Sequence, residues 1–296
     1  MSQPDTNGRR VLDQAAWLMW RSGISDLVRK ALVRKGCFVL MFHGISKRKH
    51  PEIPLGVQPY LSKEELHQTL SWVNDRFDFL TPDSLLESCE RGVLLTFDDG
   101  FANNLSNALP VLEEFDAPAV FFVTTQHVEK PDNWLHFVHT ASRQYWGETK
   151  DIPGHLAEDF YQGLSKDKLA SCAQHPLVTI GSHSVCHPDL TSLNDQQLDY
   201  ELNESKCYLE ALTNSNINLF AYPGGEYDSR VAEAVRDSGY RAAFAIADHK
   251  TGLPIYNIPR IGIYDHKPAY LSLKLSGLYR PAIDTLTANR VRDEGR

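Results

Sequence analysis

The chain has 296 residues, 42% hydrophobic and 23% charged, which suffices for the core of one large α/β domain, and no repeat, low-complexity tract or Gly/Ser linker divides it. The formal net charge of −8 excludes general nucleic-acid binding, which needs a basic face against phosphate. No stretch of about 18 apolar residues and no apolar leader with a small-residue cleavage site occurs, so neither a membrane span nor export is expected, and a cytoplasmic protein is.

Residues 1–50 hold ten Lys/Arg and three Asp/Glu, a local charge of +7 that leaves −15 for the rest. Within this basic front, 11–35 reads as an amphipathic helix: Trp17, Trp20, Ile24, Leu27 and Val28 are apolar, while Arg21, Arg29, Lys30, Arg34 and Lys35 are charged. Two readings stand. The helix packs its apolar side on the main domain, or it lies on an anionic membrane as a peripheral contact at the inner face. The expected organisation is a basic helical segment at 1–36, a main domain at 37–280 and a polar tail at 281–296. Cys37, Cys89, Cys172, Cys186 and Cys207 are odd in number, scattered and without a C-x-x-C pair, so free thiols in a reducing compartment are expected.

Short apolar runs rich in Val, Ile and Phe recur at 37–43, 92–97, 119–125, 177–184, 218–223, 242–246 and 258–263, giving seven predicted strands. Helical spacing lies between several of them: Leu105, Leu109 and Leu112; Leu198, Leu202 and Leu209; Val231 and Val235. Strand and helix in alternation mean a parallel sheet, and continuous apolar runs mean strands covered on both faces. A closed or nearly closed barrel follows, with chemistry expected just past the strand ends. Residues 126–176, with Trp134, Tyr145 and Trp146, form a long insertion without clear period, suited either to substrate contact or to structural cover.

The second run ends in Thr96-Phe97-Asp98-Asp99-Gly100. Two adjacent carboxylates at a buried strand end repel unless a cation offsets them. The fourth run ends in His183-Ser184-Val185-Cys186-His187-Pro188, and a spacing of four puts both imidazoles on one side of a helix or a strand. Pro188 turns His187 away from helical dihedrals. One Asp and two His make the three-ligand set of a catalytic zinc site that leaves a position open for water. Cys186 lies between the two histidines and reads as packing, because thiolates favour closed structural sites.

Thr-Phe-Asp-Asp-Gly followed by His-Ser-x-x-His resembles the polysaccharide deacetylase family, the NodB-homology or carbohydrate esterase family 4 enzymes, over Phe38 to Ile263. The resemblance implies an α/β fold, a distorted (β/α)7 barrel preceded by the amphipathic helix. It implies Asp99, His183 and His187 as ligands of a divalent metal, zinc foremost with cobalt, manganese or nickel as alternatives, and Asp98 as general base. A bound metal would acidify a water and polarise an amide carbonyl while Asp98 takes the proton. Where the family carries an Arg followed by Pro-Pro-Tyr-Gly, this chain has Ala221-Tyr222-Pro223-Gly224-Gly225. Gly224 then supplies the oxyanion-hole N–H by its backbone, and the Arg that orients the base is missing. Arg260 is the candidate replacement, against the alternative of a surface ion pair. The family's late Leu-x-His is not visible either. Met41-Phe42-His43-Gly44 resembles an element of the poly-N-acetylglucosamine deacetylase branch, so His43 is assigned as general acid, with His266 the alternative.

The implied function is hydrolysis of the N-acetyl group of an amino sugar of a surface polysaccharide or its precursor, nucleotide-linked, lipid-linked or polymeric. A non-sugar amide or formamide hydrolase of the same fold and a non-catalytic carbohydrate-binding relative are the alternatives, the last disfavoured because both Asp and both His are retained.

Overall fold

In the computed structural model, which describes residues 14, 17–24, 27, 36–49, 60–88, 91–129, 162–246 and 254–277, every one of the seven apolar runs forms strand. In chain order the strands are β1 (Gly36–Phe42), β2 (Ile45–Ser46), β3 (Leu61–Ser62), β4 (Arg91–Phe97), β5 (Ala119–Val123), β6 (Val178–Ser182), β7 (Leu219–Ala221), β8 (Ala242–Ala245), β9 (Ile258–Pro259) and β10 (Ile261–Gly262). β2 and β3 make a small parallel ribbon of their own. The other eight pair in parallel in the order β10-β1-β4-β5-β6-β7-β8-β9.

The last run supplies both edges of that sheet. Ile258–Pro259 pairs with β8, the Arg260 amide donates to the Ala245 carbonyl at 2.9 Å, and Ile261–Gly262 then pairs with β1. The seventh run is thus broken at Arg260 into two strands, and the unbroken backbone across the break brings the edges together into a nearly closed barrel.

Nearly every barrel-strand residue is buried, and sequence parity decides which of two cores it joins, as a strand covered on both faces requires. Cys37, Val39, Leu94, Val120, Phe122, Leu219, Ala221, Ala242, Phe244 and Ile258 form one cluster, the barrel interior, stopped at one end by Leu85 and Leu86. The alternate residues, among them Phe38, Leu40, Val93, Leu95, Phe121, Ile180 and Phe220, pack outward under the helices. Those helices are α1 (Lys63–Asn74), α2 (Pro82–Ser88), α3 (Leu109–Glu114, continuing a π-helical turn at Asn104–Ala108), α4 (Thr125–Glu129), α5 (Lys166–Cys172), α6 (Asp195–Thr213), α7 (Ser229–Asp237) and α8 (Pro268–Lys274). Reciprocal capping boxes start α1 at Ser62 and Glu65, and α6 at Asn194 and Gln197.

Three expectations need revision. Cys37 is disulfide-bonded, while Cys172, Cys186 and Cys207 carry free thiols. The pairing is made by the fold and not by any local spacing, and the cysteine argument for a reducing compartment falls with it. Cys186 is exposed, so it does not serve packing. In the N-terminal segment, residues 17–21 are helical, and Trp17, Leu18, Trp20, Ile24 and Leu27 are all exposed, Leu27 at 70%. None of these five residues belongs to either buried core cluster. Trp134, Tyr145, Trp146 and the 281–296 tail lie outside the described residues.

Gly181 occupies an inward position, and a Cβ there would sit 2.5 Å from the Phe122 ring. Gly181→Ala is expected to cost about 1–3 kcal/mol through overpacking. Urea unfolding of the two proteins checks this, and an unchanged midpoint would show that the interior has slack at that level.

Candidate active site

The same parity that fills the barrel carries four polar side chains inward at its carboxyl end. His43 follows Val39 and Met41; Asp98 follows Leu94 and Thr96; His183 follows Thr179 and Gly181; Arg260 follows Ile258. Register aligns them, because Phe42 pairs with Phe97 and the Asp98 amide donates to the Phe42 carbonyl at 2.9 Å.

Asp98 and Arg260 meet in the barrel mouth. Arg260 Nη1 lies 2.6 Å from Asp98 Oδ1 and 3.5 Å from Thr96 Oγ1, with the guanidinium 5.5 Å from the Phe122 ring centre. Both residues are buried, at 2% and 1% exposure, so this is no surface ion pair. Burial on its own would raise the Asp98 carboxyl. The Arg260 charge and its hydrogen bond, with the electrostatic influence of the neighbouring His183 and His43 rings, outweigh it and hold the group below its ordinary value. Asp98 is ionised, with Oδ1 tied to Arg260 and Oδ2 facing His183 Nε2 at 4.0 Å.

Asp99 turns the other way. Its φ is +78°, followed by +73° at Gly100, and Ser184 and His187 also have positive φ, at +66° and +57°. Left-handed non-glycine residues cost on the order of 1–3 kcal/mol each and persist where their surroundings over-determine them. The product is one cluster: single ligand atoms of Asp99, His183 and His187 all lie within 4.8 Å of one another. Nε2 of His183 is 3.6 Å and Nε2 of His187 3.8 Å from Asp99 Oδ1. These separations are too long for hydrogen bonds. They lie near the roughly 3.4 Å that ligands about 2.1 Å from a shared tetrahedral centre keep. His183 Nδ1 is 2.8 Å from the Ala221 carbonyl, to which it donates, so its Nε2 lone pair faces Asp99. Burial is the main cause that lowers His183 to about 3 and His187 to about 4, so both imidazoles are neutral, the form that ligates. One carboxylate and two neutral imidazoles fit a zinc-like divalent metal.

Of the two acid candidates, only His43 lies where Asp98 acts on it. Its buried Nδ1 has no hydrogen-bond partner among the described residues, so it is not a histidine tied to the backbone through that atom. Burial lowers its pKa, with the Asp98 charge opposing. His266 instead faces Glu65 of α1 at 3.3 Å. Gly224 sits exposed in the turn after β7 at φ +65°, and a Cβ there would meet nothing within 4 Å. Backbone conformation, not crowding, favours glycine at that position.

Two residues near the site were not singled out from sequence. His127 of α4 is buried and interacts electrostatically with His187. It stands just past the end of β5, where strand-end inspection would find it. Glu201 of α6, also buried, accepts backbone N–H groups of the His183–His187 loop.

The polysaccharide deacetylase family profile matches residues 86–243, more than half of the chain. The chain belongs to the polysaccharide deacetylase family. It is 26% identical over 211 residues to the putative polysaccharide deacetylase YxkH of Bacillus subtilis, covering 69% of this chain and 62% of that protein. It is 23% identical over 229 residues to a poly-beta-1,6-N-acetyl-D-glucosamine N-deacetylase of Staphylococcus aureus, covering 74% and 73%. The solved Streptococcus pyogenes deacetylase PplD, in complex with acetate, superposes at a TM-score of 0.63 with 21% identity, over 81% of this chain and 98% of that one. That likeness concerns the fold, an α/β barrel of the NodB type.

The neutral state of His127 has a consequence for stability. Burial, aided by His187, lowers it from 6.5 to about 3. Between those values the unfolded chain binds a proton that the native protein refuses, so the native state loses stability as pH falls. In metal-free protein the urea midpoint is expected to drop from pH 6.5 toward pH 4, with a shallower drop in His127→Gln. Equal slopes for the two proteins would refute the assignment.

Proposed function

We propose that the protein is a metal-dependent hydrolase that removes the N-acetyl group from an amino sugar of a surface polysaccharide or its precursor, releasing acetate and a free amine. One observation carries this reading: an ionised carboxylate anchored by a buried arginine, Asp98 with Arg260, stands 4.0 Å from an imidazole of a separate Asp99–His183–His187 donor set. Asp99, His183 and His187 would hold the metal, zinc foremost with cobalt, manganese or nickel as alternatives. When bound, the metal supplies Lewis acidity that acidifies water and polarises a carbonyl.

The remaining work falls to the chain's own groups. Asp98 Oδ2 accepts the proton of the attacking water, since Arg260 occupies Oδ1 and keeps the carboxylate ionised. Water oxygen adds to the acetyl carbon, and the Gly224 backbone N–H faces the developing oxyanion. As the C–N bond breaks, the proton that Asp98 took from water passes through His43, beside it, to the departing nitrogen. A relative named for N-deacetylation of poly-beta-1,6-N-acetyl-D-glucosamine favours a sugar amide over a non-sugar amide or formamide. The exposed Trp17, Leu18, Trp20, Ile24 and Leu27 in a segment that carries five Lys/Arg support peripheral contact of 11–35 with an anionic membrane. Removal of residues 1–36 is expected to abolish sedimentation with anionic vesicles, and a truncated protein that still sediments would refute that contact.

The central test is amine release from N-acetylglucosamine oligomers by metal-reconstituted protein. Asp98→Asn is expected to lower kcat by about 10²–10⁴-fold with metal still bound. His183→Ala is expected to lose both metal and activity. Arg260→Met removes the cation that lowers the Asp98 pKa, so the acid limb of the pH–rate profile should move to higher pH. Metal binding without turnover of any amino sugar would overturn the substrate class, and no metal binding would overturn the mechanism.

A further inference from the structure

α6 packs its stripe of Leu198, Leu202, Ser205, Leu209 and Thr213 inward, and helical spacing places Glu201 on that same buried face at 7% exposure. A carboxylate on a core face is costly unless hydrogen bonds satisfy it. Glu201 Oε2 accepts the Val185 amide at 2.8 Å and the Cys186 amide at 2.9 Å, from two of the three residues between His183 and His187.

The whole loop between the two imidazoles is held this way. The Ser184 amide donates to Ser182 Oγ at 3.3 Å, and the His187 amide donates to Ser184 Oγ at 3.0 Å. Four successive amides, 184 to 187, thus bond to side-chain acceptors, and the middle two share Glu201. On the other side, the Thr125 and Gln126 amides of α4 donate to the Ser184 and Val185 carbonyls. Behind Glu201, Ser205 Oγ donates to the Glu201 carbonyl at 2.7 Å and contacts Ser182 Oγ at 2.8 Å, so helix and strand end are tied to the same point. Two residues of this loop, Ser184 and His187, hold left-handed backbone conformations that would relax if the amides were released.

We propose that Glu201 is the positioning residue for the His183–His187 pair: its buried carboxylate clamps the loop amides so that both Nε2 atoms face Asp99 Oδ1. It touches neither substrate nor ligand atoms and acts through the backbone. The inference rests on the metal-site reading of Asp99, His183 and His187.

The test compares cobalt(II) and zinc(II) affinity by equilibrium dialysis, and the visible spectrum of the cobalt form, for wild-type protein, Glu201→Ala, Glu201→Gln, Glu201→Asp and Leu209→Ala. Glu201→Ala is expected to bind metal about 10–100-fold more weakly, with a shifted cobalt spectrum. Glu201→Gln retains an acceptor oxygen and is expected to stay within about threefold of wild type. Leu209→Ala opens a cavity in the same helix face away from the loop, and is expected to lower Tm with metal affinity retained. Wild-type affinity and spectrum in Glu201→Ala would overturn the proposal, as would an equal affinity loss in Leu209→Ala. Should Glu201→Ala fail to fold, Glu201→Asp decides: it keeps the charge but withdraws the acceptor by one methylene, and undiminished affinity there overturns the clamp. Absence of metal binding by wild-type protein would instead refute the metal reading on which this one stands.

Discussion

The buried ion pair of Asp98 and Arg260 is the constraint around which the barrel mouth is organised. Moving two charges out of water costs several kcal/mol each, and leaving either alone there is worse, with broken buried pairs costing about 3–5 kcal/mol. Arg260 can reach Asp98 only from the break between β9 and β10, where the chain leaves one edge of the sheet and joins the other. Sheet closure and ionisation of Asp98 therefore share one residue. The guanidinium beside Asp98 enters from the strand across the mouth, while the Ala221 carbonyl orients His183.

A division of labour between the two neighbouring aspartates follows from the turn. Asp98 continues the inward parity of β4 and meets the arginine. Asp99, one residue on and left-handed, swings toward the two imidazoles. Both carboxylates border the His183 imidazole, but Asp98 answers to the Arg260 guanidinium while Asp99 faces the second imidazole, His187.

Much of this could be read in the residues. The apolar runs marked every strand of the barrel, and the inward parity of Val39, Leu94 and Ile258 already aims His43, Asp98 and Arg260 at one another. What escaped the reading depended on contacts distant in sequence. Glu201 stands in an ordinary helical stripe, and only folding shows that the stripe faces the loop at Val185 and Cys186. The Cys37 disulfide has no spacing signature. The N-terminal helix is amphipathic in either of its two readings, and periodicity alone does not say whether Trp17 and Leu27 meet protein or solvent. His127 sat at the start of the long insertion, whose lack of period drew attention away from the strand end before it.

The break at Arg260 also orders events in time. Asp98 and Arg260 are separated by 162 positions, with the barrel strands from β5 to β9 between them. A chain made from its N-terminus onward completes the strand that carries Asp98 long before Arg260 has been joined to it. During that interval Asp98 has no guanidinium partner and the sheet has an open edge. The last strand segments to be synthesised both seal the edge and supply the guanidinium beside Asp98, so closure and charge pairing are completed together.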